Sequence, residues 1–314
     1  MINSTQISYF TLSAYFDTGP FKYMYFVIIL SLYILIVSAN LLLIVVICMN
    51  RSLHEPMYMF LCSLFVNELY GSSGLFPFLL TQILSDIHTV SASFCFLQIF
   101  CVHSYGAVEY FNLAVMSYDR YLAICYPLQY NTRMTFNKIA MLIALTWLYP
   151  CFAMVVLLSL STPLQLCGNI INKVYCATHS VVKLSCSDTS LINIYGLIAT
   201  FGTILGALLL ILYTYMRILK VCFSGSKQTR QKAVSTCTPH LASLLNFSFG
   251  SRFDMSSVPN MFQIFLSLYF LTCQPLFNPL MYGLNMSKIR HICKSLLLKS
   301  VGKSRSSNKS DQLQ

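Results

Sequence analysis

Charged side chains are scarce in this sequence. Only 9% of its 314 residues are Asp, Glu, Lys or Arg, whereas soluble domains carry about 25%. Hydrophobic residues make up 56%, which is more apolar surface than a soluble chain of this length can bury. The shortage of charge therefore excludes a soluble domain and predicts an integral membrane protein.

Motifs of several other functional classes are also missing. The chain has no His-Glu-x-x-His or Gly-x-Ser-x-Gly cluster, which argues against an intramembrane enzyme. Residues 260–284 contain no Lys, which excludes a retinal Schiff base in the last apolar run. Basic and aromatic residues do not interleave on a polar face, so nucleic acid is not an expected partner. No inverted repeat is found, and a proton- or ion-coupled transporter is kept only as an alternative.

Seven apolar runs are long enough, at about 20 residues or more, to cross a bilayer as helices. They are Tyr23–Met49, Met57–Leu84, Phe94–Cys125, Ile139–Leu160, Leu191–Cys222, Ala233–Ser257 and Asn260–Leu284. We therefore predict an all-α membrane protein, a seven-transmembrane helix bundle in the plasma membrane. The net charge is +11, and the distribution of Lys and Arg places the N-terminus outside and the C-terminus in the cytoplasm.

The segments that flank the helix bundle of residues 23–284 have their own signals. Residues 1–22 form an expected extracellular N-terminus, in which Asn3 is a glycosylation acceptor. Residues 285–298 place apolar side chains on one stripe, which predicts a short amphipathic helix on the cytoplasmic surface of the lipid. The alternative for this stretch is an ordinary basic stop signal. Residues 299–314 are rich in Ser and Lys, and we expect a disordered cytoplasmic tail.

Two carboxylates, Glu68 and Glu109, fall inside predicted spans. An ionisable group there costs roughly 2.5–3.5 kcal/mol and marks a functional site. Counted along the helices, Glu109 lies about 15 Å from Asp119 and Glu68 about 18 Å from Pro56, so the two have similar depth. Two close carboxylates cannot both ionise freely in a dry site. We predict a sodium ion or a proton between them; the alternative is two protonated acids with hydrogen-bonded neighbours.

The stretch MSYDRYLAICYPLQY, residues 116–130, places an acid beside a base at the end of the third span. It resembles the signature of odorant receptors, a branch of the rhodopsin-like G-protein-coupled receptors. Four more stretches resemble the same family in order along the chain: PMYMFLCSLFVNE at 56–68, TYMRI at 214–218, KAVSTCTPHL at 232–241 and PLFNPLMYGL at 275–284.

This resemblance implies a receptor that binds a small-molecule odorant and activates a stimulatory heterotrimeric G protein, which raises cyclic AMP. A non-olfactory rhodopsin-like receptor is the alternative. The residues that match the family's positions are Asp119, Arg120, Tyr121, Tyr215 and Tyr282 for G-protein coupling and Asn278 and Pro279 for an activation hinge. We expect Asp119 to restrain Arg120 at rest.

Three positions depart from the family's usual pattern. Glu68 stands where Asp is more frequent, Ser117 where Ala is usual, and Ser248 near the position of an aromatic switch. These variants resemble the branch found in fishes and amphibians.

Four cysteines fall on the predicted outer side, at Cys95, Cys167, Cys176 and Cys186. Four cysteines allow three pairings, and the spacing does not choose among them. The resemblance implies a Cys95–Cys176 bond between the third span and the long outer loop, and a Cys167–Cys186 bond within that loop.

The resemblance also implies a ligand site in the outer half of the bundle. Candidate ligand-binding residues are Val102, His103, Gly106, Ala107, Thr200, Thr203, Ser248, Ser251 and Leu271. Val102 stands where amine receptors carry Asp, so a monoamine is disfavoured. We expect a mainly apolar pocket with a few polar anchors, although His103 has the alternative of binding a neighbouring helix. No metal role is predicted, because the outer loop lacks the His-x-x-Cys-acidic pattern of some relatives.

Overall fold

The structure is a computed structural model. It describes residues 7–15, 21–224, 238, 241–243, 245, 260–286 and 288–295. For residues 224, 260–268, 270, 271, 284 and 285 only the backbone is described.

Long helices dominate the part of the chain that the structure describes. They are α1 (Lys22–Met49), α2 (Pro56–Leu84), α3 (Ala92–Cys125), α5 (Phe136–Ser161), α7 (Ser190–Ser224) and α8 (Asn260–Asn285). Two short helices lie between them, α4 (Tyr130–Arg133) and α6 (Thr178–Val182), and 3-10 turns cover Arg51–Leu53 and Pro127–Gln129. The sixth predicted span falls mostly outside the described residues, although residues 238, 241–243 and 245 are helical.

The long helices match the dimensions of a bilayer. The shortest have 26 residues, which is about 39 Å of helix against a hydrocarbon layer of about 30 Å. Among the described helices, α1, α5 and α7 are apolar enough to cross a membrane by length and composition. Large apolar side chains such as Val27, Leu148 and Leu209 are exposed on these helices. Such outward-facing side chains are typical of helices whose solvent is lipid.

Local sequence explains where two of these helices begin. Pro56 occupies the first turn of α2, where a missing N–H costs nothing and the fixed φ favours the helix. At α3 the Ser91 hydroxyl accepts a hydrogen bond from the Phe94 amide at 3.3 Å, which is an N-terminal cap. This cap explains why α3 begins at Ala92, two residues before the predicted span.

The end of the bundle that contains Cys95 and the end that contains Arg120 differ in structure. A small sheet with strand order β2-β1-β3 covers the Cys95 end, and we call this end the disulfide end. Its strands are β1 (Tyr9–Leu12), β2 (Thr89–Ser91) and β3 (Ile170–Ile171). The opposite end, here called the Arg120 end, holds the last turns of α1, α3 and α7 and the first turns of α2 and α5.

The sheet is a departure from the all-α prediction. β1 pairs antiparallel with β2, Phe10 opposite Val90, and parallel with β3, Leu12 opposite Ile171. Phe10 and Leu12 are fully buried, while Tyr9 is 52% exposed, as the two-residue period of a strand requires. A strand of four residues has too weak a sequence signal to be predicted, and the pairing comes from two loops distant in the chain.

The predicted amphipathic helix begins within the described residues. Residues 288–295 are helical. Ile289 is buried, whereas Lys288 is exposed and its Nζ lies 2.5 Å from Glu55 Oε1 at the start of α2. Proximity of Glu55 raises the pKa of the Lys288 ammonium, so this contact joins two opposite charges at the Arg120 end. Residues 299–314, the predicted tail, lie outside the described residues.

Candidate functional site

A cavity of about 170 Å³ lies between α3, α5 and α7. Its lining residues are Gly106, Ala107, Tyr110, Pro150, Ala153, Met154, Leu157, Tyr195, Gly196, Ala199, Thr200, Thr203 and Ile204. Four of them, Gly106, Ala107, Thr200 and Thr203, are predicted ligand residues. None of the described residues that line the cavity carries a charge.

Small side chains create this space. A Cβ added at Gly196 would still lie 3.8 Å from Leu157 Cδ1 on the facing helix, which is ordinary van der Waals contact. Across the same seam the Tyr195 hydroxyl donates to the Ala153 carbonyl at 3.1 Å, which ties α7 to α5. Thr203 Oγ1 donates to the Ala199 carbonyl at 2.8 Å, so its lone pairs are left to accept. The cavity is thus apolar with a few polar atoms.

Two further predicted ligand residues that the structure describes, Val102 and His103, are not among those that line the cavity. Val102 is buried on α3. His103 has ring nitrogens 3.0 Å from the Ile99 carbonyl and 3.4 Å from Thr178 Oγ1 on α6. These contacts hold the imidazole toward the outer loop, because both partners lie on that side. Ser248 and Ser251 lie outside the described residues, and so does the side chain of Leu271.

Glu68 and Glu109 meet in the middle of the bundle, and both are fully buried. The Asn278 amide nitrogen donates to Glu68 Oε1 and, at 3.0 Å, to Glu109 Oε1. The Tyr105 hydroxyl donates to Glu68 Oε2 at 2.9 Å, and Asn67 Nδ2 donates to Glu109 Oε2 at 3.0 Å. One amide therefore bridges two acids from different helices, and every carboxylate oxygen accepts at least one hydrogen bond.

The same network reaches residue 243 of the sixth predicted span. Ser243 Oγ donates to Asn278 Oδ1 at 2.7 Å. Gln274 Nε2 lies 2.8 Å from Ser243 Oγ and 3.4 Å from Glu109 Oε1. The network thus joins α2, α3, α8 and residue 243 through polar groups that lipid cannot satisfy.

Asn40 on α1 is hydrogen-bonded to a carbonyl of α8 that a proline leaves without its usual backbone donor. Asn40 Nδ2 donates to the Pro275 carbonyl at 2.9 Å. In a regular helix that carbonyl would accept the amide proton of residue 279, but Pro279 has none. The side chain of Asn40 replaces the missing donor, and this hydrogen bond fixes the turn before Pro279 against α1.

Oxygen atoms around the carboxylate pair suit a hard cation. Asn67 Oδ1 and Ser72 Oγ are buried without a hydrogen-bond partner. Ser72 lies one turn from Glu68 on α2, on the same face. Hard cations take carboxylate, carbonyl and hydroxyl oxygens, so this set fits a sodium ion. Within the described residues, no group of three or more His, Cys, Asp or Glu side chains forms a transition-metal site.

Asp119 and Arg120 form an ion pair at the Arg120 end. Arg120 Nε lies 2.9 Å from Asp119 Oδ2, and the Tyr130 hydroxyl donates to Asp119 Oδ1 at 2.6 Å. Burial, together with the Asp119 carboxylate, raises the pKa of the Tyr130 phenol, so the phenol keeps the proton it donates. Asp119 is fully buried, and the Arg120 side chain is 18% exposed.

Three tyrosines matched to coupling positions lie in the apolar cluster at the Arg120 end. Tyr121, Tyr215 and Tyr282 all belong to it, and Tyr282 is fully buried. The cluster places side chains of α3, α7 and α8 together, and Asn278 and Pro279 lie one turn from Tyr282 on α8.

Two disulfides close the opposite end. Cys95 at the start of α3 is bonded to Cys176, with Cα atoms 5.4 Å apart. Cys167 is bonded to Cys186, with Cα atoms 5.6 Å apart. The Cys176 amide also donates to Gln98 Oε1 at 2.8 Å, so the loop is fixed to α3 by a covalent bond and a hydrogen bond. Asn3 lies outside the described residues.

Sequence reasoning missed parts of both sites. It did not assign α5 to the cavity, which Pro150, Ala153 and Met154 line. It also missed Tyr105 and Gln274 as partners of the two acids. Polar residues within apolar runs were a usable signal for the second group, whereas small apolar residues on α5 have no signal that separates lining from packing.

Comparisons with known proteins agree on one family. The sequence pattern described as "Olfactory receptor" matches residues 29–300. Olfactory receptor 6N1 of Homo sapiens is 34% identical over 302 residues, which is 94% of this chain and 96% of that protein. Olfactory receptor 4B13 of Mus musculus is 30% identical over 295 residues, 93% of this chain and 96% of that protein.

The fold has a counterpart among solved structures. The crystal structure of squid rhodopsin matches with a TM-score of 0.68 at 17% sequence identity. The match covers 88% of this chain and 81% of the rhodopsin chain. At this identity the likeness shows a rhodopsin-like helical fold.

Proposed function

This chain belongs to the olfactory receptor family, and we propose that it is an odorant receptor that activates a stimulatory G protein and so raises cyclic AMP. The family consists of G-protein-coupled receptors and not of enzymes, and its membership implies a ligand and a G protein as partners. The cavity between α3, α5 and α7 carries the proposal, because its described lining residues bear no charge and it offers a site for a small molecule.

The proposed topology has seven spans in the plasma membrane. The disulfide end and the glycosylation acceptor Asn3 face the outside, and the Arg120 end faces the cytoplasm. Disulfides form in oxidising compartments, and cytoplasmic loops carry an excess of Lys and Arg. Both rules give the same orientation, with residues 233–257 as the sixth span.

The odorant occupies the cavity in this proposal. An engineered cavity of about 150 Å³ binds benzene, so 170 Å³ suits a compact molecule of about that size. A charged ligand would lose its hydration without gaining a partner. The ligand is therefore neutral and largely apolar, and Thr203 accepts one hydrogen bond from it.

Heterologous expression with a cyclic-AMP readout tests this function. Neutral monocyclic alcohols, aldehydes and esters are compared with amino acids and bile salts. We expect a response to the neutral set that Gly196→Leu, which fills the cavity, reduces by about tenfold or more in potency. Arg120→Ala is the uncoupled control. A response to charged ligands alone, unaffected by Gly196→Leu, would refute the proposed site.

The Glu68–Glu109 pair holds one positive charge in this proposal, either a sodium ion or a proton. Glu68, Glu109, Asn67 and Ser72 would supply the oxygens for sodium, which would supply a fixed charge between α2 and α3. Thermal unfolding of the purified receptor in sodium chloride and in choline chloride at equal ionic strength distinguishes the two. A higher Tm in sodium that Glu109→Gln abolishes indicates sodium; equal Tm values exclude it and leave the proton.

The proposed activation switch lies between the ion pair and the hinge. Asp119 restrains Arg120 at rest, and the kinked turn at Asn278 and Pro279 moves Tyr282 relative to Tyr215. Pro removes a backbone hydrogen bond from the helix, which makes such a bend physically reasonable. Ligand binding then frees Arg120 for the G protein.

A further inference from the structure

Two arginines converge on one tyrosine at the Arg120 end. The Arg133 guanidinium lies 4.6 Å from the centre of the Tyr126 ring. Arg217 on α7 lies beside the hydroxyls of Tyr126 and Tyr121, which are 3.4 Å from each other. The Tyr121 ring packs on those of Tyr126 and Tyr213, with centres 5.6 and 6.1 Å apart. We call this group of five residues the Arg133–Arg217 patch.

Within the part of the chain that the structure describes, the two arginines of the patch are in no ion pair. Arg133 and Arg217 are both exposed. Asp119, the acid of α3 at this end, is occupied by Arg120 and Tyr130. Like charges held on one aromatic group repel each other, so an anion bound between them would be stabilised.

Exposed apolar side chains continue from the patch along α7. Tyr213 is 55% exposed, Met216 66% and Leu212 58%. In the membrane these side chains face acyl chains. An anion with an attached acyl chain therefore fits this surface better than a soluble anion, because its two parts match a basic and an apolar region that adjoin.

We propose that the Arg133–Arg217 patch binds the phosphorylated headgroup of an anionic phospholipid in the cytoplasmic leaflet. Guanidinium groups offer planar forks of N–H donors that suit phosphate oxygens. Basic pockets between helices on the cytoplasmic side bind such headgroups. The lipid would hold α4, which ends at Arg133, and the last turns of α7 at a fixed separation. The leaflet assignment rests on the orientation proposed above.

A binding measurement with the purified full-length receptor tests the patch. The probes are fluorescent phosphatidylinositol bisphosphate, phosphatidylcholine as the neutral lipid, and free inositol trisphosphate as the headgroup without acyl chains. Each basic residue near a membrane surface contributes about fivefold to such binding. We expect the double variant Arg133→Gln, Arg217→Gln to bind phosphatidylinositol bisphosphate about 30-fold more weakly than the wild type.

A second double variant, Arg51→Gln and Lys294→Gln, is the matched control. Both residues are exposed at the same end, and the loss of charge is equal. We expect it to bind the lipid nearly as well as the wild type, with free inositol trisphosphate weaker than the lipid in all three proteins. Equal Tm values of the three proteins show that the substitutions leave the fold intact.

Three outcomes would overturn the proposal. They are equal loss of binding in both double variants, phosphatidylcholine binding as strong as that of the anionic lipid, or unchanged lipid binding in the patch variant. This lipid-binding assay needs neither odorant nor G protein, so a negative result leaves the proposed function standing. A receptor that responds to no tested odorant can still be shown to bind the lipid.

Discussion

Single side chains set the geometry of the buried polar network. At Gly71 the missing side chain lets the Tyr105 ring lie against α2, since an added Cβ would be 2.6 Å from Tyr105 Cγ. That position brings the Tyr105 hydroxyl to Glu68. At the other end of the network, Asn40 satisfies the carbonyl that Pro279 leaves without a donor. Gly71 lacks a side chain and Pro279 lacks a backbone N–H. In each case this lack determines where the polar group of a neighbouring residue lies.

Gly71→Ala should destabilise the receptor. The methyl group displaces the Tyr105 ring, and overpacking of this kind costs about 1–3 kcal/mol. The measurement is the Tm of the purified protein together with its surface expression. Gly202→Ala is the matched control, because a Cβ at Gly202 meets nothing within 4 Å. A lower Tm for Gly202→Ala than for Gly71→Ala would contradict the packing argument.

Asp119→Asn should raise basal signalling. The substitution keeps the shape and still accepts the Tyr130 hydrogen bond, but it removes the charge that holds Arg120. If the pair contributes about 1 kcal/mol, basal cyclic AMP per receptor at the surface rises about fivefold. Tyr130→Phe removes only the hydrogen bond and should have a smaller effect. Unchanged basal signalling in Asp119→Asn would exclude the restraint.

The three strands outside the helix bundle determine the structure of the disulfide end. β1 lies between β2 and β3, with hydrogen bonds from the Thr11 amide to the Asn169 carbonyl at 2.7 Å and from the Leu12 amide to the His88 carbonyl at 2.8 Å. The Tyr15 hydroxyl adds a bond to the Val174 carbonyl at 2.8 Å. The N-terminal strand is therefore an integral part of the small sheet that covers the disulfide end of α3.

Phe10→Ala should lower the stability of the sheet at the disulfide end. Phe10 is fully buried, and removal of a buried Phe side chain costs about 3–5 kcal/mol. Tyr9→Ala on the same strand removes a side chain that is 52% exposed and should cost much less. Thermal unfolding and the protease sensitivity of the N-terminal segment measure the difference. Similar losses for both variants would mean that β1 does not pack as described.

At the scale of the whole molecule, charge is distributed very unevenly between the two ends. Among the described residues the bases at the Arg120 end are Arg51, Arg120, Arg133, Lys138, Arg217, Lys220, Lys288, Arg290 and Lys294, against the acids Glu55 and Asp119. The disulfide end has Lys22, Lys173 and Lys183 against Asp86 and Asp188. Such asymmetry orients a multi-span protein during insertion.

Epitope tags at the two ends of the chain test the orientation. An N-terminal tag should bind antibody on intact cells, and a C-terminal tag should bind only after permeabilisation. The physical reason is the excess of Lys and Arg at the Arg120 end, because loops rich in these residues stay in the cytoplasm during insertion. Staining of a C-terminal tag on intact cells would refute both the orientation and the odd number of spans.

The sequence alone indicated a membrane protein, the positions of the long helices that the structure describes and the family that the chain resembles. These features depend on composition, on apolar runs and on short motifs, all of which are local in the chain. The predicted second span, Met57–Leu84, differs by one residue from α2. The pairing of the cysteines came from the resemblance, because spacing left three possibilities.

The tertiary structure decided which side chains meet. Ala153 and Gly196 line one cavity, and Tyr105 and Asn278 contact the same acid, although they lie far apart in the sequence. Such contacts depend on how each helix is rotated and tilted against its neighbours, which the packing of side chains across several helices sets. His103 shows the consequence: its position on α3 suggested a ligand residue, but contacts with Ile99 and Thr178 orient its ring toward the outer loop.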